Sequence, residues 1–173
     1  MVFGVGVTFL LAGCGRSEAP IASPLPAESV GPGRTVSPAV NQTRIELVRA
    51  LGTHNLVLTD TQAPVRPAEA ALLAAAPRAV YQVTLPKDPT HGYIVVYEFP
   101  DPARAAAAAA QQQAYLATGP ARVQTPLGTV SIIRQVGLTV VFYDWLPEGS
   151  PDDSTPGIQA ALETLGVGFP VAS

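Results

Sequence analysis

Two pairs of strand-forming stretches constrain the fold of this chain more than any other feature of its sequence. Residues Ala79–Leu85 and Tyr93–Phe99 are rich in β-branched and aromatic side chains, and the PKDPTHG between them is typical of a turn. Residues Thr129–Val136 and Leu138–Trp145 form a second such pair about Gly137. Short connections of this kind join antiparallel strands, so the sequence predicts two hairpins.

Helix signals lie between and around the predicted hairpins. One helix begins at Ser37-Pro38 and ends at Gly52, because a side-chain cap followed by proline favours a helix start and glycine favours a stop. A second helix covers residues 102–118, and a third begins at Thr155-Pro156. Weaker patterns predict a short strand and a short helix, over Leu56–Thr59 and Pro67–Ala76.

Hairpins that alternate with helices in this way favour an α+β class. We therefore expect a two-layer domain, with a mostly antiparallel sheet of four to six strands and helices packed mainly on one face. The six consecutive alanines Ala105–Ala110 would let their helix lie unusually close to that sheet, because alanine combines high helix propensity with a small side chain. The alternative is an alanine-rich helix that faces solvent.

The N-terminal residues 1–13, MVFGVGVTFLLAG, are apolar and carry no charged side chain. A helix of this length reaches about 20 Å, and a bilayer core is about 30 Å thick, so the segment is short for a membrane span. It has the size of the apolar part of an export signal and ends in small residues. The sequence therefore predicts a signal peptide over residues 1–13.

Leu11-Ala12-Gly13-Cys14 resembles the lipobox of bacterial lipoproteins, and Cys14 is the only cysteine in the chain. The resemblance implies that the Cys14 sulfur carries a diacylglyceryl group, that the signal is removed before Cys14, and that the protein is held at a membrane outside the cytoplasm. The family's usual Lys or Arg before the apolar run is missing, which indicates either a translation start upstream of Met1, the interpretation we favour, or inefficient insertion. The alternative is a buried N-terminal strand or helix with an incidental cysteine.

The resemblance also implies a location. Gly15 follows the cysteine in place of the aspartate associated with inner-membrane retention, so we expect a lipid anchor in the cell membrane or, in a two-membrane cell, the outer membrane.

Composition divides the rest of the chain into a tether and a domain. Residues 15–40 contain five Pro, four Ser and three Gly, too few large apolar groups to offset the entropy of ordering. We therefore predict a disordered tether, with the lipidated cysteine at its start, over residues 14–40, and a single domain over residues 41–173. That domain holds eight Lys and Arg against eleven Asp and Glu, and this acidic balance argues against nucleic-acid binding.

Chemistry-bearing residues are sparse. His54 and His91 stand apart from each other in predicted turns, and no Cys/His spacing typical of a metal site occurs, so we expect neither a metal nor a cofactor. The acidic stretch at residues 144–153 lacks the spacing of a calcium loop. No catalytic residue can be assigned, although an extracytoplasmic hydrolase that uses Glu98, Asp144 or His91 is an open alternative.

Aromatic side chains suggest a binding face. Side chains alternate between the two faces of a strand. Tyr93 and Tyr97 therefore share one face of their strand, and Tyr143 and Trp145 share one face of theirs. If the two faces coincide, the aromatics would form a surface for an apolar ligand or an envelope protein partner, because tyrosine and tryptophan dominate binding hot spots. The alternative is that these side chains belong to the core beneath a helix.

Residues 79–166 as a whole are similar in pattern to a broad group of small bacterial lipoproteins. YEFPDPARAAAAAA, a hairpin ending in VVFYDW, and IQAALETLG follow that group's order of strand, alanine-rich helix, hairpin and final helix. The similarity implies a fold and an envelope location, but no catalytic residues. We therefore expect a membrane-anchored extracytoplasmic lipoprotein that serves as a non-catalytic binding or assembly module.

Overall fold

The computed structural model describes residues 36–171. Six strands form one antiparallel sheet, with β1 at Leu58–Asp60, β2 at Arg78–Val83, β3 at Tyr93–Glu98, β4 at Val130–Val136, β5 at Thr139–Trp145 and β6 at Val167–Gly168. The strand order across the sheet is β1-β2-β3-β5-β4-β6. Within these residues five α-helices accompany the sheet, with α1 at Pro38–Gly52, α2 at Ala71–Ala75, α3 at Pro102–Leu116, α4 at Gly119–Gln124 and α5 at Thr155–Glu163. The predicted α+β class and the antiparallel sheet are confirmed.

Both predicted hairpins are confirmed. Strand β2 pairs with β3, and β4 pairs with β5 through a two-residue turn that Val136 and Thr139 close. Gly137 occupies the first position of this turn with φ of +56°, a conformation that favours glycine and suits the twist of two paired strands. Pairing of β3 with β5 then joins the two hairpins into one sheet.

Helices cover both faces of the sheet, so the domain has three layers where the sequence led us to expect two. Residues of α1 and α5 pack on a core that includes Ile94, Val96 and Val141. Residues of α2, α3 and α4 pack on a second core, on the opposite face, that includes Val95 and Phe142. The physical reason is that β3 and β5 are apolar on both faces, so each face must be removed from water.

Helix α1 begins three residues before the expected domain start. The Ser37 hydroxyl accepts a hydrogen bond from the Val40 N–H at 3.2 Å, and Pro38 stands in the first helical turn. The Thr43 hydroxyl lies 2.8 Å from the Thr139 hydroxyl, at the start of β5. The N-terminal half of α1 therefore lies at the end of the sheet that carries the Gly137 turn.

The alanine-rich helix α3 lies close against the sheet, as predicted. The Asp101 carboxylate accepts a hydrogen bond from the Arg104 N–H at 2.8 Å and caps the helix. Ala105, Ala108 and Ala109 are fully buried against the second core. The other alanines of the run point away from this core, so the solvent-facing alternative describes only the outer side of α3.

Some short elements differ from the sequence-based expectations. Helix α2 spans five residues, where ten were predicted from Pro67 to Ala76. Helix α4 begins at Gly119, at the Gly-Pro pair that was interpreted as a helix stop, because proline is equally compatible with a first helical turn. Strand β6 was not predicted. Gly166, with φ of +37°, precedes it, and a Cβ there would lie 1.9 Å from the Gln135 carbonyl oxygen, so only glycine admits this approach to β4.

Candidate functional site

A cavity of about 260 Å³ lies at the end of the sheet where β3 begins and β5 ends, away from the Gly137 turn. Residues from the β2–β3 loop, the β5–α5 loop and the strand ends line it, and they include Asp88, His91, Tyr93, Tyr143, Asp144, Trp145, Ser150 and Thr155. Several polar and aromatic groups therefore converge on one concave region, which makes it the default candidate for a binding site.

Hydrogen bonds hold the two loops of the cavity together. The Lys87 N–H donates to Asp152 Oδ2 at 2.9 Å, and the Lys87 ammonium lies 2.6 Å from Asp153 Oδ2. Bonds from the Ser154 hydroxyl, then from the Lys87 and Ser154 N–H groups, lower the pKa of Asp152 below its ordinary value. These bonds connect residues more than 60 positions apart in sequence and fix the β2–β3 loop relative to the β5–α5 loop.

Asp88 is the buried carboxylate of the cavity. It is 5% exposed, and its Oδ1 lies 2.5 Å from Nδ1 of His91, whose ring is largely open to solvent. Its Oδ2 lies 3.4 Å from the Ser150 hydroxyl, which lies 2.7 Å from the Thr155 hydroxyl. Ser150 therefore contacts the carboxylate and Thr155, and among the described residues no serine is hydrogen-bonded to the imidazole.

Asp144 contributes a second carboxylate. Burial raises its pKa above the ordinary value for aspartate. Within residues 36–171, no Lys, Arg or His lies within ion-pair distance of Asp144, in contrast to Asp88, Asp60, Asp101 and Asp153. A partly desolvated carboxylate without a cationic partner destabilises the fold, and such groups concentrate at functional sites.

Two aromatic side chains of the cavity have polar atoms without hydrogen-bond partners. The Tyr143 hydroxyl and the Trp145 indole N–H are both buried and unpaired within the described part of the chain. Tyr143 is 1% exposed, and its burial, followed by the charges of Asp144 and Asp88, raises the pKa of its hydroxyl. Buried polar groups are nearly always paired in native proteins, so these two atoms call for an explanation.

The predicted aromatic face does not exist as one surface. Tyr93 and Tyr97 share a face of the sheet with Val95, whereas Tyr143 and Trp145 share the opposite face with Val141. The register explains the difference: Val95 pairs with Phe142, so odd-numbered residues of β3 lie beside even-numbered residues of β5 and share their face.

The four predicted aromatics therefore have different surroundings. Tyr97 is fully buried and donates its hydroxyl to Glu69 Oε1 at 2.6 Å, and Glu69 also pairs with Arg78 at 2.6 Å, as expected of a core residue. Tyr93, Tyr143 and Trp145 instead line the cavity, to which residues from both faces of the sheet contribute.

The residues considered for hydrolysis are only partly brought together. His91 and Asp144 line the same cavity, but no hydrogen bond links them. Glu98 pairs with Thr139 at the opposite end of β3, outside the cavity. His54 follows α1 and also lies outside it.

Asp88, Ser150 and Thr155 were missed in the sequence. Asp88 and His91 are the first and last residues of a four-residue turn, in which the His91 N–H donates to the Asp88 carbonyl oxygen at 3.3 Å. Their spacing of three residues is therefore the local signal from which their contact could have been predicted.

Other classes of site have little support in the described residues. Between residues 36 and 171, no group of three or more His, Cys, Asp or Glu side chains is placed to hold a metal ion. Among the helices that the structure describes, none has the length and apolar character needed to cross a bilayer. Cys14, the predicted lipid attachment residue, lies outside the described residues. Comparisons with protein-family models, with curated proteins and with solved structures found no match for the chain.

Proposed function

We propose that this chain is a lipid-anchored protein outside the cytoplasm whose α+β domain is a non-catalytic binding module. The observation that carries the anchoring is Leu11-Ala12-Gly13-Cys14 directly after an uncharged apolar run, with no other cysteine in the chain. A single acyl chain gives only marginal membrane attachment, whereas the two or more of a lipoprotein give a durable one. The membrane is then the first partner of the protein, through the lipid on Cys14.

The described domain supports a binding role through the cavity at the end of the sheet. Its walls come from two loops that hydrogen bonds tie together, and it contains the buried carboxylate of Asp88 and the carboxylate of Asp144, which has no cationic partner within residues 36–171. A ligand that pairs with the Asp144 carboxylate recovers the cost of its partial desolvation, which favours binding in this cavity.

The contact between His91 and Asp88 favours a second candidate, an extracytoplasmic hydrolase. A carboxylate that orients an imidazole is a recurring part of general-base catalysis. Among the described residues, the hydroxyl within hydrogen-bond distance of the imidazole is that of Thr90, 3.4 Å from His91 Nδ1, the same nitrogen that contacts Asp88. This hydrolase would therefore have to activate water at the other ring nitrogen. Turnover of ester or amide substrates that is abolished by His91→Ala would favour the hydrolase over the binding module.

Fractionation of the native host tests the anchoring. The gene, with its upstream region, is expressed in the native host as wild type, as Cys14→Ala, and as Gly13→Ala, which keeps both the cysteine and a small residue before it. We expect wild type and Gly13→Ala in the membrane fraction with incorporated labelled palmitate. We expect Cys14→Ala in the soluble or unprocessed fraction without label.

The opposite result is equally clear. Retention of a mature-sized Cys14→Ala product in the membrane, or a free Cys14 thiol with Met1 still attached in the wild type, would contradict the anchoring.

A further inference from the structure

We propose that the outer side of the layer formed by α2, α3 and α4, together with the loop that follows α4, lies against a bilayer that contains anionic phospholipid. This α2–α4 surface comprises residues 71–75 and 102–128. The inference is independent of the cavity, and it rests on the proposed lipid anchor only because that anchor keeps a bilayer near. It follows from exposed aliphatic side chains and from the sign of the charges around them.

Large aliphatic side chains are exposed on the α2–α4 surface. Leu127 is 99% exposed and Val123 is 88% exposed, the two largest values for a large hydrophobic residue in the described part of the chain. Leu72, on α2, is a third exposed member. Helices α2 and α4 both contact α3, whose outward side carries exposed alanines at residues 103, 107, 110 and 114. Apolar side chains that collect on one layer in this way mark an interaction surface.

The charges on this surface have one sign. Its residues include two arginines, Arg104 and Arg122, and no Asp or Glu, in a chain with ten Lys and Arg against thirteen Asp and Glu. Arg104 lies 3.5 Å from Asp101, the cap of α3. Within residues 36–171 no carboxylate lies within ion-pair distance of Arg122, which is exposed and directly precedes Val123. The surface is therefore complementary to an anionic partner, although the chain as a whole is acidic.

The helices on the opposite face of the sheet lack this combination. Ile45 and Val48 of α1 are also exposed, but charges of both signs flank them, since Glu46 lies between two arginines of the same helix. Helix α1 packs on the core that lies on the other side of the sheet from α3. It therefore offers a control that is similar in apolar exposure and different in charge.

A bilayer fits the α2–α4 surface better than a second copy of the chain does. Two copies that met through this surface would bring arginines of both into a contact that holds no acidic residue, and the juxtaposition of like charges opposes association. Anionic headgroups supply the missing negative charge, and aliphatic side chains enter the boundary between headgroups and acyl chains. Basic and aliphatic side chains together are the combination by which proteins bind a membrane surface.

The length of chain before α1 lets this surface reach the membrane. Residues 15–36, at about 3.1 Å each, can extend over as much as roughly 70 Å. The seven residues of β5, at about 3.4 Å each, measure only roughly 20 Å. A domain held at Cys14 can therefore turn the α2–α4 surface toward the bilayer. Because tethering raises the effective concentration of that bilayer, a weak intrinsic affinity is sufficient.

A fluorescent probe on the surface measures contact with lipid directly. The full chain is prepared as Cys14→Ala, which removes its only cysteine, and the environment-sensitive fluorophore NBD is attached at Val123→Cys or, as a control, at Val48→Cys. Each protein is titrated with vesicles of phosphatidylcholine alone or mixed with an equal part of phosphatidylglycerol, with and without nitroxide-labelled lipid. The probe is local, so it reports contact at its own position whichever other part of the chain binds lipid.

We expect the probe at position 123 to shift to the blue and to be quenched by the nitroxide lipid. Its apparent affinity should be at least about fivefold higher for the anionic vesicles than for phosphatidylcholine alone. The probe at position 48 should show neither change, because α1 lies on the other side of the sheet.

Matched variants identify the side chains responsible. In the chain labelled at position 123, Leu127→Asp should weaken vesicle binding by about tenfold or more, because an exposed apolar side chain is replaced by one that anionic lipid repels. Arg122→Gln should weaken it by about fivefold. Ile45→Asp makes the same kind of exchange on α1, where we expect a change of about twofold or less. Circular dichroism confirms that the variants are folded.

Several results would overturn the inference. These are no lipid-dependent change at position 123, an equal change at position 48, equal affinity for the two kinds of vesicle, or equal losses in Leu127→Asp and Ile45→Asp. Sedimentation that shows a dimer, abolished by Leu127→Asp and formed in place of lipid contact, would assign the surface to a second copy of the chain.

Failure of this inference is distinguishable from failure of the lipid anchor, because the chain used in the vesicle assay lacks Cys14. A palmitate-labelled wild type together with no response at position 123 refutes the membrane surface alone. A response at position 123 together with an unlabelled wild type refutes the lipid anchor alone.

Discussion

Gln112 fastens the segment between β1 and α2 to helix α3. Its side chain is fully buried; Nε2 donates to the Ala68 carbonyl oxygen at 2.7 Å, and Oε1 accepts from the Ala70 N–H at 2.6 Å. Gln112→Ala would leave both of these buried backbone groups unpaired, at about 1–3 kcal/mol each. After a gain of a few tenths from helix propensity, we expect a loss of about 2–6 kcal/mol in the free energy of unfolding.

The matched control is Gln111→Ala, on the same helix. Gln111 Oε1 accepts from the Leu72 N–H at 2.9 Å, but this bond is exposed, so water can replace it. We expect a change within about 0.5 kcal/mol for this variant. Urea unfolding followed by circular dichroism measures both, and a domain of this size should lose about 3–4 °C in Tm per kcal/mol. Equal losses in Gln111→Ala and Gln112→Ala would refute the assignment of stability to the buried bonds.

Two further predictions concern the close helix and the buried carboxylate. Ala108→Leu inserts a larger side chain where α3 meets the sheet and should lower the free energy of unfolding by about 1–3 kcal/mol. Ala110→Leu, on the exposed side of α3, should lower it by less than about 0.5 kcal/mol. Equal effects of the two variants in thermal unfolding would contradict the close approach of α3 to the sheet. Because burial raises the pKa of Asp144 in the folded state, its contribution to stability falls as pH rises from the ordinary value of 3.8 through the raised folded value. Asp144→Asn should therefore be more stable than wild type at pH 7, and unfolding experiments should show this difference disappearing below pH 3.8. A difference that stays constant between pH 3.8 and pH 7 would show that the Asp144 carboxylate is not desolvated.

The hairpins and long helices were predictable because their signals are local. Alternating apolar residues and a central Gly137 are enough to define β4, its turn and β5, and Asp101-Pro102 is enough to begin α3. The Gly119-Pro120 pair was interpreted only as the end of a helix, whereas the same pair can also start the next helix, as it does at α4. In each case the information lies within a few residues of the feature.

The surroundings of the aromatic residues could not be predicted because they depend on register between strands that are not consecutive. Strand β4 separates β3 from β5 in sequence, and a shift of one residue in their pairing would have placed Tyr97 and Tyr143 on the same face. The cavity depends on contacts that are more distant still, such as that between Lys87 and Asp152. No pattern in either loop indicates that these two residues meet.

The route by which the chain enters the domain gives the protein a polarity. Helix α1 starts at Pro38 and contacts the beginning of β5 through Thr43 and Thr139, while the cavity lies beyond the far end of β5. Seven residues at about 3.4 Å each separate these two ends by roughly 20 Å. The point where the chain enters the domain and the cavity therefore lie at opposite ends of the sheet, so a ligand can approach the cavity without passing the N-terminus of α1.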